Sequence, residues 1–319
     1  MKKTVLITGV AGFIGYSLAN FLSENSDFEI VGIDNINNYY DVNLKNDRLK
    51  LLEKKIHFFK RDINDDLSDI FSKYSFDCII NLAAQAGVRY SKENPEVYIE
   101  SNIDGFYNLL RTAERHGVKK IIYASSSSVY GANTKLPFSE SDNTSTPMSL
   151  YAATKLSDEN LASGFFYSYK VRTIGLRFFN IYGPFGRPDM AYFKWTHKLV
   201  HGDQIELNNS GEMWRDMTYI DDCVKAIQLL IVDDSLNYSP EIYNVGNREP
   251  VKIAELLSYI SGKFEIEPNV KVVNAGSEEP IKTWADTDKL DSKIGFSPNT
   301  DYQLGVDKFI KWYRSYYNV

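Results

Sequence analysis

The 319-residue chain reads as an α/β protein: a doubly wound parallel sheet followed by a smaller, mixed C-terminal region. Three observations predict this. Short apolar runs alternate with helix-length segments as far as Val245. Several of those runs are continuous Val/Ile/Leu, as strands are when helices cover both faces of a parallel sheet. Polar or glycine residues gather where the runs end, at Gly9, Asp34, Asp62, Ala83-Ala84-Gln85, Ser125 to Ser128 and Asn180. An open parallel sheet binds its ligands along that carboxyl edge.

The first strand, Thr4–Thr8, leads into Gly9-Val10-Ala11-Gly12-Phe13-Ile14-Gly15 and then into Tyr16 to Leu22, which has helical spacing. Glycines on a strand-to-helix turn let the backbone approach a pyrophosphate, and the helix N-terminus offers it unpaired N–H groups. The second strand, Glu29–Ile33, ends at Asp34, where a carboxylate would hold a ribose 2′-hydroxyl and repel a 2′-phosphate. A bound dinucleotide is therefore expected, NAD rather than NADP. Further strands are expected at Ile56–Lys60, Cys78–Leu82, Lys120–Ala124, Arg172–Phe178 and Ile242–Val245. The amphipathic segments Pro95–His116 and Leu150–Tyr169 predict helices lying on the sheet by one apolar face. After Asn180 the pattern loosens into turn-rich stretches at Gly183 to Pro188 and Asn208 to Glu212. The expected division is residues 1–180, with a returning segment at about 216–246, for the dinucleotide, and 181–215 with 247–319 for the substrate.

A net charge of −6 argues against a nucleic-acid partner. No stretch is long and apolar enough to span a membrane, and Met1-Lys2-Lys3 runs straight into the first strand, so no leader is expected. Cys78 and Cys223 show no metal-type or disulfide spacing, which points to a reducing cytoplasm. His197 and His201 share an i, i+4 spacing without an acidic or sulfur partner nearby, so they read as helix surface and no metal is expected.

Tyr151-Ala152-Ala153-Thr154-Lys155 places a phenol and an ammonium one helical turn apart on one face. A free tyrosine titrates at about 10 and is a poor base near neutrality, but a neighbouring cation favours the phenolate. A hydroxyl from the run Ser125-Ser126-Ser127-Ser128 could hydrogen-bond the same substrate oxygen. With a dinucleotide beside them, these are the parts needed to oxidise an alcohol: a base for the O–H and an acceptor for the hydride.

With these motifs the chain resembles the extended short-chain dehydrogenase/reductase superfamily, whose core is a Rossmann-type sheet, and within it the NAD-dependent nucleotide-sugar epimerases. Three narrower stretches look like the UDP-glucuronate 4-epimerase group: Asp34-Asn35-Ile36-Asn37-Asn38-Tyr39-Tyr40-Asp41, Leu82 to Ser91, and Tyr182 to Met190. Arg215 to Asp222 matches the superfamily more broadly. The resemblance implies Ser126, Tyr151 and Lys155 as catalytic residues. It implies a cofactor site made of Gly9, Gly12, Phe13, Ile14, Gly15, Asp34, Asn35, Asn38, Asp62, Ile63, Leu82, Ala83, Ala84, Gln85, Asn102, Ser125 and Phe178, together with Tyr151 and Lys155. It implies a UDP-sugar site made of Arg89, Ser126, Ser127, Ser128, Tyr151, Asn180, Arg187, Arg215 and Glu279, and a homodimer. Arg215 also suits a diphosphate on its own chemistry, because a guanidinium fork makes paired, charge-assisted bonds.

Two positions depart from the uronate group, which usually carries threonine where Asn180 stands and Gly-Asp-Val where this chain has Glu278-Glu279-Pro280. The rival readings are a 4-epimerase of UDP-glucose or UDP-N-acetylglucosamine, a dehydratase or decarboxylase, and a non-catalytic NAD-binding protein. The lyases look for an acid just after the catalytic hydroxyl residue, where this chain has Ser127-Ser128-Val129. A non-catalytic protein would have no use for Tyr151 and Lys155.

Overall fold

Strand β1 (Lys3–Thr8) is an interior strand of a seven-stranded sheet in a computed structural model that describes residues 2–235, 239–274, 276 and 280–319. Its companions are β2 (Phe28–Asp34), β3 (His57–Lys60), β4 (Cys78–Asn81), β5 (Lys120–Ser126), β6 (Arg172–Phe178) and, after three strands that lie elsewhere, β10 (Glu241–Val245). The order is β10-β6-β5-β4-β1-β2-β3 and every pairing is parallel. All seven strands expected from the sequence are present, each within two residues of its expected bounds.

The two-residue pleat explains the continuous apolar runs. Val5, Ile7, Ile80, Ile122, Ile174 and Leu176 pack into one core, beneath helices Phe13–Ser23 and Ile220–Val232. Leu6, Ile79, Ile121 and Tyr123 pack into the other, beneath helices Gly105–Arg115 and Leu150–Tyr169. A strand buried on both faces favours apolar residues at successive positions, so the alternation disappears. Edge strand β3 is the exception, with His57, Phe58 and Lys60 exposed; charged residues on a short edge discourage further pairing.

The expected helix Pro95–His116 is not continuous. A short helix at Glu96–Tyr98 passes into a π turn at Ile99–Asp104 before the regular helix Gly105–Arg115. The wider turn points Asn102 into the protein, where it is 1% exposed.

Beyond Asn180 the chain builds smaller sheets that the sequence pattern did not reveal. In one, β9 (Trp214–Tyr219) pairs with β7 (Asn180–Tyr182), β11 (Pro250–Lys252) and β13 (Lys282–Thr283). In the other, β8 (Ile205–Asn208) pairs with β12 (Val270–Val273). Buried Asp216 ties the first together, accepting the backbone N–H groups of Asn247, Arg248 and Ala285 and the Thr218 hydroxyl. Among the described residues no helix is long and apolar enough to cross a membrane.

Candidate active site

The strand order reverses between β1 and β4, and a cleft of about 910 Å³ opens there along the carboxyl ends of the strands. Its first wall is the glycine turn. Gly9 sits at φ +69°, where a Cβ would lie 2.7 Å from the Ala83 amide nitrogen, so no other residue fits. A Cβ on Gly15 would run into the Gly9 carbonyl, so this glycine lets the helix start tight against the turn. Gly12 is the N-cap and no side chain caps it, which leaves first-turn N–H groups of Phe13–Ser23 available to an anion.

Asp34 stands beside this turn and braces it. Its carboxylate accepts the amide N–H of Ala11 at 3.0 Å and that of Ile36 at 2.7 Å. Burial pushes this carboxyl up, while those amides, Lys45 and Arg48 pull it the other way. Asp62 accepts the Asn35 side-chain amide at 2.6 Å and lines the same wall with Ile63. Leu82, Ala83 and Ala84 follow β4, with the Leu82 and Ala83 amides donating to the Thr8 hydroxyl. Phe178 closes the wall at the end of β6.

Two of the residues assigned to the cofactor are not part of the cleft wall. Asn38 is exposed on the Asn37–Tyr40 loop. Asn102 works from behind: its carbonyl accepts the Gln85 N–H at 2.8 Å, and its amide donates to the Gln85 carbonyl and the Thr154 hydroxyl at 3.1 and 2.9 Å. A loop strand has backbone groups to satisfy, and an asparagine offers both a donor and an acceptor. Asn102 thus fastens the Gln85 loop to the helix that carries Tyr151.

That helix is capped by Ser149, whose hydroxyl accepts the Ala152 amide at 3.1 Å. The cap sets the first turn, and with it Tyr151. Lys155 follows one turn later, 2% exposed. Ser126 ends β5 and begins a 3₁₀ turn in which its hydroxyl accepts the Ser128 amide and donates to the Ser128 hydroxyl, both at 3.2 Å. Ser126, Ser127, Ser128, Tyr151 and Lys155 all line the cleft. Ser125 reaches its wall too, but its hydroxyl points away, to Glu159 at 2.6 Å. Glu159 in turn takes Arg177 through both oxygens, so β5, β6 and the helix that carries Tyr151 are locked together.

The opposite wall comes from the smaller sheets. Asn180 begins β7, and Arg215 on β9 donates to the Trp214 and Ile281 carbonyls at 2.9 and 3.3 Å. Arg187 is held in a fork by Asp189, which also accepts the Tyr39 hydroxyl at 3.2 Å. Arg89 is exposed at the mouth. Glu279 lies outside the described residues.

Residues 5–246 match the NAD dependent epimerase/dehydratase family. The chain belongs to that family. It is 45% identical to Protein CapI of Staphylococcus aureus, over 98% of this chain and 99% of that protein. It is 41% identical to UDP-glucuronate 4-epimerase 4 of Arabidopsis thaliana, over 99% of this chain and 76% of that one. The structure superposes with a TM-score of 0.93 on UDP-glucuronic acid 4-epimerase from Bacillus cereus in complex with UDP-glucuronic acid and NAD, at 30% identity, covering 98% and 100% of the two chains.

Like the rest of this family, the enzyme is NAD-dependent. The cleft suits that group on its own geometry: a turn that excludes side chains at Gly9 and Gly15, an uncapped helix N-terminus, and a half-buried carboxylate at the end of β2. Two residues that brace the cleft from behind escaped the sequence reading. Arg48 sits in the polar run Asn46-Asp47-Arg48, which reads as helix surface, yet it is 0% exposed. It donates to the carbonyls of Ala11, Phe185 and Gly186 and to the Tyr40 hydroxyl, stitching the glycine turn to the loop that carries Arg187. Asp158, one turn beyond Lys155, accepts its ammonium at 3.0 Å, with both side chains almost wholly buried. An acidic residue at i+3 from a lysine is usually a surface pair, so only the fold reveals this one as interior.

Proposed function

We propose that this protein interconverts UDP-glucuronate and UDP-galacturonate by oxidation at C4, turnover of the 4-keto sugar and re-reduction on its other face, without loss of CO₂. The observation that carries the reading is the likeness to UDP-glucuronate 4-epimerases along nearly the whole chain, with Ser126, Tyr151 and Lys155 together in one cleft. NAD, when bound, supplies the hydride acceptor that serves as donor on the return. Gly12 to Gly15 would hold its pyrophosphate and Asp34 its ribose, with Asp62 and Ile63 beside the adenine and Ala83 to Gln85 along its length. Residues 1–180 and 216–246 would serve the cofactor, and 181–215 and 247–319 the sugar nucleotide.

Tyr151 takes the C4 hydroxyl proton and later gives it back, while Ser126 hydrogen-bonds the same oxygen and Lys155 stabilises the phenolate. Arg215 holds the diphosphate, and Arg187 and Asn180 border the sugar. A 4-keto uronate is a β-keto acid and loses CO₂ when the breaking bond overlaps the carbonyl π system. Ser127 and Ser128 would keep the carboxylate out of that orientation, and with Val129 they leave no acid beside Ser126 to promote elimination.

The protein is proposed to work in the cytoplasm, consistent with two buried free thiols, and as a homodimer. The pairing surface would be helices Gly105–Arg115 and Leu150–Tyr169, which carry Tyr107 and Tyr167 at 49% and 61% exposure.

The test is incubation of the purified protein, with no NAD added, with UDP-glucuronate and separately with UDP-glucose and UDP-N-acetylglucosamine, followed by NMR of the anomeric and C4 protons. UDP-galacturonate is expected from the first and no product from the others. Turnover of a neutral sugar alone would overturn the substrate assignment and make Asn180 the residue to examine. Release of a pentose nucleotide would overturn the carboxylate-holding role of Ser127 and Ser128.

A further inference from the structure

Asp158 is a buried acid that the chemistry above does not use. Its Oδ2 lies 3.0 Å from Lys155 Nζ, its Oδ1 has no hydrogen-bond partner, and its side chain is 2% exposed. Burial pushes its carboxyl up to about 6, with Lys155 pulling it down and Glu159 adding to the rise. Because burial penalises a lone charge on either partner, the two charges are held in register by each other.

Among the described residues the surroundings leave Lys155 as its one opposite charge in contact. On the same helix Asp158 is next to Glu159, whose carboxylate is committed to Arg177 and Ser125. From β5 the Tyr123 phenol faces both acids and is held protonated by burial and by their charges. The reactive phenol has other neighbours. Tyr98 meets Tyr151 edge-on with ring centroids 6.1 Å apart, and the Arg187 guanidinium in its field is matched by Asp189.

We propose that Asp158 is a positioning residue that acts through Lys155: it fixes the ammonium and damps its positive field at Tyr151. This rests on Tyr151 being the proton carrier. Such a residue has a chemical use in an epimerase, where one phenol must take a proton on the outward step and release it on the return. An undamped cation would leave a persistent phenolate that donates poorly; a neutralised pair keeps both protonation states within reach.

The experiment is a pH titration of protein labelled with ¹³C at the tyrosine ring carbon bearing the hydroxyl, the Tyr151 resonance being assigned by its absence from Tyr151→Phe. In Asp158→Asn that resonance should reach the phenolate position about one pH unit lower than in the parent. The ascending limb of kcat/KM against pH should move with it. Asp158→Ala serves as the second variant, and melting curves identify either as folded. An unchanged or upward-shifted titration in a folded variant overturns the proposal. A downward shift with an unmoved kinetic profile upholds the coupling but overturns Tyr151 as the proton carrier, so the two failures are told apart.

Discussion

A tyrosine hydroxyl is the smallest part of this molecule on which the proposed chemistry depends. Tyr151 occupies the second position of a helix whose start is set by a serine cap and whose flank is tied by Asn102 to the Gln85 loop. Removing the hydroxyl alone, in Tyr151→Phe, keeps the ring and its contact with Tyr98. Turnover of UDP-glucuronate should fall about 10²- to 10⁴-fold, the range that a positioned general base contributes. The melting temperature and the NAD carried through purification should not change. Activity within tenfold of the parent in a coupled NMR assay would remove Tyr151 from the mechanism. Ser125 makes the contrasting case: it neighbours Ser126 in sequence, but β-strand alternation turns its hydroxyl to Glu159, where it serves the framework.

At the scale of elements, the cleft is made where two separately built parts meet, and Arg48 is the stitch. One guanidinium reaches the glycine turn through Ala11 and the loop that carries Arg187 through Phe185 and Gly186. Phe185 is held from the other side by Tyr16 and by Trp312 of the C-terminal helix Tyr302–Tyr317. Arg48→Met leaves two buried carbonyls, of Ala11 and Gly186, and the partly buried one of Phe185 short of a donor, each buried one costing about 1–3 kcal/mol. The variant should purify with less bound NAD and show a raised KM for the UDP-sugar, with kcat changing less. Ultraviolet absorbance of the cofactor released on denaturation and initial-rate kinetics check both halves. Full NAD content with an unaltered KM would show that the two loops are set independently.

Across the whole molecule, the ends of β6, β10 and helix Ile220–Val232 are clamped by charge. Arg172 bonds Asp233 at 2.7 Å and Glu241 at 3.0 Å, and Lys293 reaches Asp233 at 3.1 Å. Partial burial would raise the Asp233 carboxyl, but Arg172, Ser235 and Lys293 outweigh it and hold the group well below the usual carboxylate range. A carboxyl depressed on folding contributes stability that is complete above its unfolded value of about 3.9 and lost as pH falls toward its folded value. Asp233→Asn should therefore be less stable than the parent at pH 7 and 5, with the gap closing below about pH 4. Urea unfolding at pH 7, 5 and 3 measures this; a gap that stays constant through pH 3 would mean that the clamp does not depend on ionised Asp233.

The sequence by itself determined the parallel sheet and its carboxyl-edge cleft. Runs such as Val5-Leu6-Ile7 and Cys78-Ile79-Ile80 can be buried on both faces in few other ways, and each is followed by residues with no role inside a sheet. It also determined Gly9, Gly15, Tyr151 and Lys155, because a turn that excludes Cβ atoms and a pair spaced by one helical turn are local facts. Tertiary structure alone decided which charged residues are interior. Arg48 sits in a segment as polar as any surface helix, and its partners lie far along the chain; Asp158 pairs with Lys155 one turn away, a spacing that reads as a surface pair until the fold buries both. The smaller sheets were hidden for the same reason: β7, β11 and β13 are two or three residues long, too short for a periodicity, and exist because β9 offers them backbone hydrogen bonds. A helix or a strand is written in the spacing of neighbours, whereas a buried charge is tolerated only once residues distant in the chain have come together to satisfy it.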